Sequence, residues 1–143
     1  MKEHPQLKLE NQLCFPMYAA SKELVRRYTP YLEPLGLTYT QYLVMMVLWE
    51  HDSIKVSELG QKLLLDSGTL TPVLKKLEAK GFLERNRCID DERCVMAELT
   101  EEGRALSDKA ANDPMQIGGC VELKPEEAQQ LYVLLYKVIN SLS

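Results

Sequence analysis

The chain has 143 residues, 45% of them hydrophobic and 27% charged, with a formal net charge of −4, the composition of one domain that buries a core of its own. Its longest apolar run, from Tyr42 to Trp49, is too short to cross a bilayer, and no basic start leads into an apolar leader, so a cytoplasmic protein with no membrane partner is expected. Structural disulfides are uncommon in that compartment, Cys14, Cys88, Cys94 and Cys120 form no C-x-x-C pair, and only His4 and His51 offer imidazole; a secreted disulfide framework, a metal site and a cofactor are therefore not expected.

Proline fits the first turn of a helix and disfavours a helical residue before it, so "LCFPMYAAS" (13–21) starts a helix around Phe15 or Pro16. Cys14 then stands at or just before the helix mouth. That helix runs to Thr29-Pro30, and Pro34-Leu-Gly36 breaks the chain again. A second helix begins with Thr40 as its cap and carries the Tyr42–Trp49 run, apolar all round and so central to the core.

From Lys55 to Leu64 a short helix is expected, capped by Ser57 with Glu58 in its first turn. After Leu65-Asp-Ser-Gly68 another helix puts Leu70, Val73, Leu74 and Leu77 on one face, and Gly81 closes it where a left-handed residue is needed. Two short helices across a tight turn, the second polar and basic outside, make a helix-turn-helix. Residues 68–87 hold five basic side chains (Lys75, Lys76, Lys80, Arg85, Arg87) against Glu78 and Glu84, a local +3 that leaves −7 on the remainder.

Beyond Gly81 the period changes. Residues 82–88 and 94–99 read as two strands around a turn-rich connector, 89–93, forming a hairpin wing. Thr100-Glu-Glu opens a helix to about Asn112, Gly118-Gly119 breaks the chain, and Lys124-Pro125-Glu-Glu127 opens a last helix with an apolar stripe of Leu131, Leu134, Leu135, Val138 and Ile139. The fold class is mainly α with a small β-hairpin wing.

The stretch "LDSGTLTPVLKKLEAKGFLERNRCIDDERCVMAELTEEG" (65–103) resembles the DNA-binding core of the MarR family of winged-helix regulators. "LENQLCFPMYAASKELVRRYTPYLEPLGLTYTQYLVMMVLWE" (9–50) resembles that family's OhrR branch, the organic-hydroperoxide sensors. The resemblance implies one MarR-type domain over 1–143. Within it, 55–100 is the winged helix-turn-helix lobe, and 9–34 with 104–143 are dimerisation helices. It further implies a homodimeric repressor on double-stranded DNA with a pseudo-palindromic operator, an organic hydroperoxide as oxidant, and no enzymatic activity.

In that resemblance Cys14 stands at the branch's reactive cysteine, and Tyr18, Tyr28 and Tyr39 stand where tyrosines hydrogen-bond the sulfur, from its own and the partner subunit. Pro16 departs from the pattern, where a small helix-compatible residue is usual. A helix N-terminus and phenol donors favour the thiolate, the form that attacks a peroxide. The residues alone leave open whether Cys14 is this nucleophile or a small core hydrophobe. Cys120 stands in roughly the region of a resolving cysteine, with a spectator thiol as the other reading. Cys88 and Cys94 flank the wing turn and could face each other across the hairpin; in a reducing compartment the spectator reading is favoured.

For DNA, Ser67, Thr69, Thr71, Pro72, Lys75 and Lys76 are expected to enter the major groove, Arg85 and Arg87 to add to the basic face, and Arg93 in "DDER" to reach the minor groove from the wing tip. Release of DNA by a small aromatic ligand between the domains is the alternative within the family; a thiol peroxidase is the alternative outside it.

Overall fold

The computed structural model describes residues 1–112 and 121–143. Two short 3-10 turns (Pro5–Leu7, Leu9–Asn11) lead into α1 (Cys14–Leu32); then come a 3-10 turn (Glu33–Leu35), α2 (Tyr39–His51), β1 (Ser53–Lys55), α3 (Val56–Leu63), α4 (Ser67–Ala79), β2 (Leu83–Arg87), β3 (Val95–Leu99), α5 (Glu101–Asn112) and α6 (Pro125–Leu142). This is the mainly helical fold with a hairpin wing that the sequence leads one to expect.

Several boundaries differ from the sequence reading, each for a local reason. Helix α1 starts at Cys14 rather than Phe15 or Pro16, so the thiol lies in the first turn. It also continues past Pro30 to Leu32, because the fixed φ of proline suits a helix and Leu32 is drawn into the core, where it is 2% exposed. The cap of α2 is Thr38, not Thr40: Gln41 N donates to Thr38 Oγ1 at 3.3 Å while Thr38 N donates to Gln41 Oε1 at 3.1 Å, a reciprocal box. Ser57 lies inside α3 and does not cap it; Lys55 holds the N-cap position without a side-chain bond. Asp66 caps α4, accepting from Thr69 N at 2.7 Å.

The wing is also wider than a hairpin. Strand β1 pairs antiparallel with β3 (Ser53↔Glu98, Ile54↔Ala97, Lys55↔Met96), and β2 pairs with the other edge of β3 (Leu83↔Leu99 through Arg87↔Val95), giving the order β1-β3-β2. Three residues with one buried side chain, Ile54, leave no period to read.

Helix α2 runs through the core: Val44, Met45 and Leu48 are fully buried, and around them pack Leu59 of α3, Leu70, Leu74 and Leu77 of α4, and Leu83 and Ala97 of the sheet. The turn between α3 and α4 depends on a close approach. Leu64 is left-handed (φ 56°), Leu65 N donates to Gly60 O at 2.9 Å, and a Cβ on Gly60 would stand 2.9 Å from the Leu65 carbonyl oxygen. Gly81 (φ 82°) then reverses the chain into β2, with Phe82 N donating to Leu77 O at 3.1 Å. In contrast α6 has no buried residue; Leu131, Val133, Leu134, Leu135 and Tyr136 are all partly open to solvent.

Two charged contacts lock the lobe. Lys80 Nζ donates to Gln41 Oε1 at 2.8 Å and to the Gly36 carbonyl, tying the end of α4 to the start of α2. Glu78 accepts from Arg85 N at 3.0 Å and pairs with Arg85 Nη2 at 3.1 Å, tying α4 to β2. The bond from the Arg85 amide, then its guanidinium, holds the Glu78 carboxyl below its ordinary value of 4.5; the Thr69 amide does the same for Asp66 against 3.8.

Gly60→Ala should lower stability by about 1–2 kcal/mol, because overpacking against a backbone oxygen outweighs the gain in helix propensity; urea unfolding reads this directly. Groups with depressed folded-state values stabilise the fold above their unfolded values and lose that contribution as pH falls through the folded ones. Acid titration should therefore destabilise the lobe below pH 4.5, and Glu78→Gln should flatten that slope.

Candidate DNA interface and redox site

The helix-turn-helix presents α4 by its outer side. Leu70, Leu74 and Leu77 point inward at spacings of four and three, which turns Ser67, Thr69, Pro72, Lys75 and Lys76 to solvent. Thr71 is half-buried at the margin of this face. Pro72 has no amide hydrogen, so the Gly68 carbonyl one turn earlier keeps no helical donor on an exposed surface. Lys75 and Lys76 form no ion pair among the described residues.

At the wing tip Arg93 is exposed, its backbone N donating to Asp91 Oδ1 at 2.9 Å. A groove of about 430 Å³ separates wing from helices, with Lys55, Ser57, Ser67, Asp91, Arg93 and Cys94 on its walls. The sequence reading missed Lys55 and Ser57 here. No local sequence signal marks them: they reach this groove only because the packed α3, α4 and wing tip share its walls.

Two arginines separate from the expected basic face in different degrees. Arg85 sits apart from the α4 face: paired with Glu78 and with Nε enclosed, it joins α4 to β2. Its side chain keeps only 25% exposure. Lys80 of the basic window is likewise engaged inside the fold. Arg87 stays at the surface, its Nη1 donating to Glu92 O at 3.1 Å across the wing turn.

A correction concerns the wing cysteines. Cys88 and Cys94 continue the β2–β3 register by one pair, Cys88 N donates to Cys94 O at 2.9 Å, and their sulfurs are bonded with Cα atoms 5.3 Å apart. Cross-strand neighbours at that spacing fall in the range a disulfide spans. The spectator reading let the compartment outweigh a facing pair across the hairpin, and the register brings that pair together.

Cys14 is free and exposed in the first turn of α1, where the backbone N–H groups have no partner within the helix. Tyr18 lies one turn on, exposed, with Lys22 Nζ 5.6 Å above its ring. Tyr28 and Tyr39 sit together at the far end of α1, ring centroids 4.9 Å apart, joined by Tyr42 at 6.0 Å from Tyr28. Burial, then the neighbouring phenols, pushes the Tyr39 hydroxyl above its ordinary value, and burial raises Tyr42 similarly. Fourteen helical residues separate Cys14 from Tyr28, about 21 Å. Within one chain the structure therefore does not bring Cys14 to Tyr28 and Tyr39. Tyr42, missed in the sequence, follows Tyr39 by three helical positions and so shares its face.

An apolar groove of about 480 Å³ runs along α1, walled by Leu13, Met17, Leu24 and Val25, by Tyr39, and by Leu131 and Leu135 of α6. Cys120 lies outside the described residues. Among the described residues no three His, Cys, Asp or Glu side chains gather as a metal site, and no helix is long and apolar enough to cross a membrane.

Comparison with known proteins converges on one family. The sequence profile described as transcriptional regulator SarA/Rot matches residues 26–110. The organic hydroperoxide resistance transcriptional regulator of Bacillus subtilis is 46% identical over 136 residues, 95% of this chain and 92% of that one. The structure of reduced AbfR, a Staphylococcus epidermidis protein, bound to DNA superposes with a TM-score of 0.81 at 33% identity, covering 96% of each chain. A cysteine-to-serine mutant of MarR from E. coli complexed with operator DNA gives 0.79 at 29% identity, covering 88% of this chain and 92% of that one. The relatives are transcriptional regulators and not enzymes, and this chain belongs with them to the SarA/Rot-type regulators of the MarR family.

Proposed function

We propose that this chain is a cytoplasmic repressor that binds a pseudo-palindromic duplex as a homodimer, and that oxidation of Cys14 by an organic hydroperoxide releases it. The observation that carries this is the exposed, unpaired Cys14 thiol in the first turn of a helix whose apolar side, together with that of α6, has no cover in the single chain. The hydroperoxide-resistance relative and the reduced, disulfide-formed and overoxidized structures of AbfR support the same reading.

One winged helix supplies one half-site, so a two-fold dimer reads two. In this reading residues 55–100 form the DNA lobe of a single 1–143 domain, and 9–34 with 104–143 pair the copies. Ser67, Thr69, Thr71, Pro72, Lys75 and Lys76 line the major groove, Arg87 lies beside it, and Arg93 enters the minor groove. Because Tyr28 lies about 21 Å along α1 from its own Cys14 and Tyr39 packs against Tyr28, a second copy supplies both to the sulfur while Tyr18 comes from the same chain.

The chemistry closes without a cofactor. The Cys14 thiolate attacks the distal peroxide oxygen, the O–O bond breaks, and the alkoxide leaves as alcohol after taking a proton, giving a sulfenic acid. The Cys120 thiol of the second copy then attacks that sulfur, forming a disulfide and expelling water. Strain between α1 and the terminal helices rotates the two α4 helices away from the spacing a duplex requires. The groove between α1 and α6 favours one second reading, in which a small apolar ligand seated there causes release without Cys14.

On a duplex selected from a random-sequence pool, Lys75→Ala and Arg93→Ala should each weaken binding by roughly 1–3 kcal/mol where the side chain reads a base, and affinity should fall steeply with salt. Fluorescence anisotropy measures both, and a monomer at micromolar concentration overturns the architecture. Cys14→Ser should stay on DNA when cumene hydroperoxide is added, whereas release by that variant promotes the ligand reading. Non-reducing electrophoresis of oxidised protein should show a covalent dimer that Cys120→Ser abolishes; a monomer carrying a small-thiol adduct on Cys14 retains the sensor and removes Cys120 from it.

A further inference from the structure

The wing disulfide is unused by the proposed Cys14 mechanism. It closes a ring over Ile89–Arg93, and this ring is the part of the wing that projects beyond the β2–β3 ladder. Apart from the cross-link, the tip is held by hydrogen bonds at the surface: Arg93 N to Asp91 Oδ1, Cys94 N to Asp91 O at 3.1 Å, and Arg87 Nη1 to Glu92 O. Surface hydrogen bonds of this kind open at little cost, so the covalent bond decides how ordered the tip is. Ile89 has no burial at all to hold it. Cys94 and Arg93 also stand on the wall of the groove that the wing shares with Ser57 and Ser67, which places the cross-link at the edge of the DNA-facing surface.

We propose that Cys88 and Cys94 form a second redox site, a dithiol–disulfide pair in the wing that sets DNA affinity independently of Cys14 by ordering the segment that carries Arg93. This rests on the DNA-binding reading above. The oxidant is again an organic hydroperoxide: one thiolate of the pair attacks the distal oxygen, the O–O bond breaks, and alcohol leaves. The second thiol attacks the resulting sulfenic sulfur, the S–S bond forms and water leaves. The two sulfurs together lose two electrons, and the peroxide gains them. A thiol reductant reverses the change by exchange. The cross-linked wing presents Arg93 already in place, so less ordering opposes binding and the disulfide form holds DNA more tightly than the dithiol.

The test uses the full-length Cys14→Ser/Cys120→Ser protein, in which only the wing pair remains, reduced with dithiothreitol or oxidised with cumene hydroperoxide. Intact mass should show loss of two hydrogens without a covalent dimer, and amide exchange across residues 89–93 should slow. Affinity for the selected duplex should rise roughly threefold to tenfold on oxidation. Adding Cys88→Ser/Cys94→Ser should erase all three differences. Equal affinity of the two redox forms, or thiols that stay alkylatable after hydroperoxide, overturns the wing assignment alone. Binding of no duplex in either form overturns the DNA-binding reading and the wing assignment with it.

Discussion

The DNA-facing lobe is hung on the burial of α2. Val44, Met45 and Leu48 lose all contact with water against α3, α4 and the sheet, and each such side chain contributes roughly 1.5–3 kcal/mol. Because α3 and α4 both pack on this helix, the angle at which α4 stands out is set by the core and not by the turn alone. Lys80 adds a polar tie between the same elements, from the end of α4 to Gln41 and the Gly36 carbonyl. A change in the inclination of α2 would therefore reach Lys75 and Lys76 through packed side chains.

This arrangement divides the positive charges of the lobe into two sets. Lys80 and Arg85 hold pieces of the fold together; Lys75, Lys76 and Arg93 have no acidic partner among the described residues. The local excess of charge seen in the sequence thus overstates the face that is free to attract phosphates. The free lysines lie on one side of α4, and Arg93 stands across the groove from its first turn.

The described cysteines stand in two places with different mechanical settings. Cys14 is mounted on α1, whose apolar side joins that of α6 in an open groove, so a bond made there acts on the relation between copies. The Cys88–Cys94 pair is mounted on the wing, so a bond made there acts only on the tip.

The sequence by itself determined the helix order, the inner face of α4, the reversal at Gly81 and the place of Cys14 near a helix start, since each follows from local periodicity or from the allowed angles of glycine and proline. It also carried the resemblance that named the candidate residues. Only the tertiary structure decided which charges were free, because Arg85 and Lys80 find their partners seven and thirty-nine positions away. The same holds for β1, whose three residues become a strand only when β3 offers an edge. For Cys88 and Cys94 the hairpin reading already allowed a facing pair, and the strand register decided that the two are bonded. Tyr28 was legible as an aromatic far along the same helix from Cys14, whereas its packing against Tyr39, the first residue of α2, is a contact only the tertiary structure makes.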